Sequence, residues 1–209
     1  SNAYTERVLE RGIYPEVHMN GKRSPPCWNT PNTVEAGDLL FLDQPWRYAP
    51  DDSSGHILPR YITDRAISTG REYDWERLVV HYSQPHAPYI AGAVAEDREL
   101  KSFEESPFEA LRHGESFDPI WDAYINNLRM VLNNVEKLLK NIDAENVVIS
   151  ADHGEAFGEW GMYGHLPGMI NTYVKQVPWV LTSANDSGQY QPTLDPTSHE
   201  SKDVDEQLQ

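Results

Sequence analysis

The feature that most constrains the fold is a long amphipathic stretch that runs almost directly into a short apolar one, residues 118–151. In "DPIWDAYINNLRMVLNNVEKLLKN", Asp118 is expected to cap a helix and Pro119 to occupy its first position. Ile125, Leu128, Leu132, Val135 and Leu139 recur at steps of three and four, a stripe that has to face other structure. Lys137 and Lys140 suit the negative end of such a helix. "NVVISA" then reads as a strand buried on both faces.

The same alternation recurs elsewhere. "DLLFLD", ending at Asp43, and "RLVVHYS" and "VPWVLTS" read as further strands, while "LPRYITDRAISTG" reads as a helix opened by Pro59 and stopped by Gly70. The fold class expected is α/β, a largely parallel sheet flanked by helices. Ligands of such sheets bind beyond the carboxyl ends of the strands, where Asp43, His86, Asp152 and His153 fall. A polar insertion from about Glu96 to Ser116 separates "QPHAPY" from the long helix. Residues 4–38 read as an irregular arm. Residues 185–209 read as an acidic, mobile tail with one short helix at "VDEQLQ".

Composition narrows the partners. With 33 acidic against 17 basic residues the net charge is −16, which excludes a nucleic-acid partner, since phosphates must be met by clustered Lys and Arg. An anionic membrane surface is disfavoured for the same reason, and the acidity matches the solvation device of proteins from salt-rich cells. There is no apolar run near the ~18 residues of a spanning helix. Cys27 is the one cysteine, and no signal peptide is evident, so a cytoplasmic location is expected. Ser1-Asn2-Ala3 reads as the remnant of a cleaved expression tag.

The end of the "NVVISA" strand carries the chemistry. A carboxylate and an imidazole side by side after a buried strand cost desolvation unless something compensates them, and a divalent cation does so. Neighbours in a strand point to opposite faces, so joint ligation by Asp152 and His153 requires the backbone to leave the strand there, and Gly154 permits it. Glu155 reads equally as a partner behind the ligands or as a solvated loop acid. His81 reads as a core histidine. His18, His56, His113 and His199 lie in polar contexts that need no function.

"ADHGEAFGEWGMYGHLPG" after "NVVIS", with "YINNLRMVLNNVEKLL" before it and "HYSQPHAPY" upstream, resembles the sulfatase branch of the alkaline phosphatase superfamily. The phosphoethanolamine and lipoteichoic acid transferases share the layout. The resemblance spans residues 59–184 and is densest over 146–168, so that residues 4–184 are expected to form one incomplete domain of this type. It implies that Asp152 and His153 bind one divalent metal ion, and that His165 and His86 contact the substrate oxyanion. Asp with His favours Mn or Zn over Ca or Mg. The implied substrate is a sulfate or phosphate ester, glycan-linked or lipid-linked.

The family also needs a nucleophile near the N-terminus. Formylglycine maturation needs Cys-x-Pro-x-Arg, whereas Cys27 is followed by Trp28, Asn29, Thr30 and Pro31, so Cys27 is expected to be structural. Asp43 sits where the family's first metal ligand would, but an ordinary loop-initiating Asp is the stronger reading. Two functions stay open: an incomplete catalytic domain of a hydrolase or transferase, or a non-catalytic relative that uses its metal or anion pocket for binding or assembly. A phosphoglycerate mutase type would need a second Asp and His pair within 118–145, which is absent from the sequence.

Overall fold

The computed structural model describes residues 41–45, 48–49, 56–166, 169 and 171–194. Contacts divide the chain into two units, Ser1–Tyr48 and Ala49–Gln209. In the first, the described part of "DLLFLD" forms no strand. Asp43 accepts a hydrogen bond from the Tyr48 hydroxyl at 2.6 Å. Cys27, the N-terminal arm and the "VDEQLQ" segment lie outside the described residues.

The second unit mixes helices with small antiparallel sheets. It opens with α1 (Pro59–Glu72), which starts at Pro59 as expected but runs past Gly70. Gly70 is needed for space: a Cβ there would approach Ile142 Cγ2 to 3.2 Å. "RLVVHYS" forms no strand, and Val79 is 89% exposed. An apolar, β-branched run becomes a strand only where a neighbour takes its N–H and C=O groups, and no described segment does so.

The acidic insertion folds into short helices, α2 (Ala91–Glu96), α3 (Ser102–Glu105) and α4 (Pro107–Arg112). They surround an ion pair between half-buried Arg98 and buried Glu104. Arg98 donates two bonds of 2.7 Å to Glu104, whose carboxylate also accepts the Lys101 N–H at 2.8 Å. Burial, the largest single influence on Glu104, raises its pKa, yet these bonds together hold it below the ordinary carboxyl value.

The long helix, α5 (Phe117–Leu139), begins one residue before Asp118, with Ser116 as its N-cap and Pro119 in its third position. Its buried line is Ile120, Asn127, Val131 and Leu138. The stripe read from the sequence is the outer one: Leu132 is 46% exposed and its four companions are only half-buried. Burying each of the apolar side chains on the inner line contributes about 1.5–3 kcal/mol. Leu138 packs with Ala66 and Ile67 of α1, and Ile120 with Tyr89 and Ala110.

Strand β1 (Ala144–Ser150) pairs with β4 (Trp179–Ala184), and the pair is antiparallel, against the largely parallel sheet expected. Nor is β1 buried on both faces: Val148 is about half exposed, and on β4 Trp179 and Leu181 stand 69% and 71% exposed. Between them lie a miniature ladder, β2 (Ala156–Phe157) with β3 (Tyr163–Gly164), and the short helix α6 (Thr172–Lys175). Gly158 and Gly164, at φ of 118° and 77°, make the turns that an L side chain resists.

The start of the expected mobile tail is tied down. Arg71 donates to both carboxylate oxygens of Asp186, at 2.7 and 2.8 Å. Buried Asp64 accepts from the Tyr190 hydroxyl and from the Thr193 amide and hydroxyl. Residues 195–209 lie outside the described residues.

Candidate functional site

Three loops converge near the end of β1. The chain leaves the strand after Ser150, as joint use of Asp152 and His153 requires, and turns under α6, where the Gly154 amide donates to Val174 at 2.9 Å. Gly154 does not have a positive φ. It is glycine because a Cβ would fall 2.0 Å from the Tyr173 carbonyl oxygen. His165 follows β3 directly. His86 sits in the turn before Tyr89, held from beneath by Asn127 of α5, which donates to Pro88 at 3.1 Å and accepts from the Ala91 amide at 2.9 Å.

These loops bring together the four residues singled out from the sequence. The His153 and His165 rings stack with centroids 3.8 Å apart and planes at 28°. His86 meets His165 edge to face at 5.2 Å. The Asp152 carboxylate lies 3.6 Å from His153 Nε2. Asp152 itself is open, its side chain 77% exposed.

All three imidazoles are bound on the same edge. Nδ1 of His86 contacts the Ala87 carbonyl, Nδ1 of His153 the Gly154 carbonyl at 3.0 Å, and Nδ1 of His165 a Glu155 carboxylate oxygen at 2.9 Å. A carbonyl or an ionised carboxylate only accepts, so each Nδ1 carries the proton and each Nε2 is left for other chemistry. Metal-binding histidines are held in this way, by a carbonyl or carboxylate on the far nitrogen.

Glu155 is no solvated loop acid. Its side chain is 9% exposed, and Oε2 is buried without a hydrogen-bond partner among the described residues. The Tyr89 hydroxyl is buried and likewise has no partner among the described residues. Burial first, and then the charge of Glu155, push the Tyr89 phenol well above its ordinary value. Tyr124 of α5, edge to face with Tyr89 at 5.9 Å, is raised by the same two causes.

The donor set fits a cation. Two ligands on a tetrahedral ion with bonds of ~2.1 Å stand ~3.4 Å apart, close to the Asp152 to His153 separation of 3.6 Å. His86, Glu155 and His165 also each offer a ligand atom, all within 4.8 Å of one another. His81 is exposed, not a core residue. Asp43 belongs to the other unit.

Compared with protein-family models, with curated proteins and with solved structures, the chain matches none. Among the described residues, no helix is long and apolar enough to cross a membrane.

Proposed function

We propose that this chain is part of a metal-dependent hydrolase or transferase acting on a sulfate or phosphate ester, of the sulfatase type that its motifs resemble. The observation that carries the reading is the convergence of His86, Asp152, His153 and His165, with all three imidazoles fixed on Nδ1. Asp152 and His153 hold one divalent ion, Mn or Zn in preference to Ca or Mg, since oxygen and nitrogen donors are mixed. Such an ion polarises the ester and offsets the charge that gathers on its oxygens. His86 and His165 bind those oxygens through the Nε2 atoms that their Nδ1 contacts leave available. A largely parallel sheet of the alkaline phosphatase kind belongs to the proposal.

The openness of Asp152 favours a second reading, in which the pocket binds a metal or an anion without catalysis. An ester held against so exposed a carboxylate would share the site with water. The deciding experiment is calorimetric titration of the chelator-treated chain with Mn and with Zn, alongside Asp152→Ala and hydrolysis of aryl phosphate and aryl sulfate esters. Binding weakened about ten-fold or more in the variant is expected. Unchanged binding removes the metal assignment, and turnover of either ester overturns the second reading.

A further inference from the structure

We infer that Glu155 is a positioning residue for His165: its buried carboxylate fixes the imidazole with Nδ1–H turned inward and Nε2 presented to the site. The inference deepens the functional reading above and rests on it for the use to which Nε2 is put.

Stacking alone leaves His165 undecided. The face-to-face contact with His153 defines the plane of the ring, but a half-turn about the Cβ–Cγ bond gives the same plane with the two nitrogens pointing elsewhere. The edge contact from His86 restricts the ring without telling one nitrogen from the other. Among the described residues, only Glu155 Oε1, 2.9 Å from Nδ1, distinguishes the two orientations. A carboxylate inside protein is a stronger acceptor than one in water, because its charge is poorly screened and its bond to N–H is charge-assisted.

The surroundings of Glu155 suit it to this role. With Oε2 buried and without a partner among the described residues, and Tyr89 and Tyr124 close enough for its charge to raise both phenols, the carboxylate cannot turn outward without giving up the His165 bond. The Phe157 amide, two residues on, is taken by Glu159 at 2.6 Å, so the loop does not offer Glu155 that donor. The pattern differs from those of His86 and His153, whose Nδ1 atoms are held by main-chain carbonyls next to them in sequence. His165 alone of the three depends on a side chain ten residues away, and that dependence is what a substitution can remove.

The test is the ring tautomer, read from imidazole 15N shifts in metal-free, 15N-labelled protein at about pH 9, above the ordinary imidazole pKa. All three rings should show the Nδ1–H form in the unsubstituted chain. In Glu155→Ala, His165 should shift several-fold toward the Nε2–H form while His86 and His153 stay as they were. Glu155→Gln, whose amide oxygen can still accept, should restore Nδ1–H at His165. An unshifted His165 in Glu155→Ala overturns the inference. So does a joint change at His153, which would mean that Glu155 supports the loop and not the ring, and so does failure of Glu155→Gln to restore the form. No metal or ester enters the measurement, so Mn and Zn binding left unchanged by Asp152→Ala would sink the functional reading and leave this result standing.

Discussion

At the scale of single residues, Gly154 shows how the site depends on close approach. The Tyr173 oxygen is a main-chain atom of α6, so it cannot swing aside from an added Cβ as a flexible side chain would. Gly154→Ala is therefore expected to destabilise the chain by about 1–3 kcal/mol, the usual cost of overpacking. The same displacement should separate Asp152 from His153 and weaken Mn or Zn binding. Urea unfolding together with titration checks both, and an unchanged unfolding midpoint would show that the loop has room to spare. That Asp152, His153, His165 and His86 come together was legible from sequence, because they lie in glycine- and proline-marked loops where such side chains are available. The state of Glu155 was not legible: the phenols that feel its charge, Tyr89 and Tyr124, lie more than sixty and more than thirty residues away in sequence.

At the scale of elements, α5 is the instructive case. The helix itself was legible from its apolar spacing, but its buried line was not, because Asn127 and Asn134 interrupt the series through Ile120, Tyr124, Val131 and Leu138. A continuous apolar stripe on the adjacent face drew the assignment away. The polar residue within the true line is the one that ties α5 to the His86 turn. Asn127→Ala would leave the Ala91 N–H and the Pro88 carbonyl without their partner in a buried setting, so a loss of about 2 kcal/mol or more is expected. Leu132→Ala, on the outer stripe, should cost under about 1 kcal/mol, in keeping with a surface position. The order of the two losses in denaturant unfolding is the check, and a larger loss at Leu132 would mean that the outer stripe is covered. The strands were misread for a related reason. Strand-like composition marks what a segment can do, whereas pairing and its direction depend on a neighbour that composition does not name, as "RLVVHYS" and the antiparallel β1 and β4 show.

At the scale of the whole molecule, charge pulls stability in two directions as pH falls. Protonating carboxylates relieves the repulsion built into a chain of net charge −16, which favours the folded state. It also removes the paired carboxylates that hold the second unit together. The Arg71 hydrogen bond, followed by that of the Gly188 amide, keeps the Asp186 pKa below its ordinary value of 3.8. A carboxylate with a depressed folded-state pKa contributes stability that is fully present above its unfolded value and is lost as pH falls through the folded one. The repulsion acts on the unsubstituted chain and on Asp186→Asn almost alike, so the difference between them isolates the Arg71 pair. Asp186→Asn should unfold at lower urea than the unsubstituted chain at pH 7, and the gap should close by about pH 2. A gap that persists unchanged at that pH would mean that Asp186 acts through shape and neutral hydrogen bonding, and that the strap of residues 185–194 on α1 does not rest on its charge.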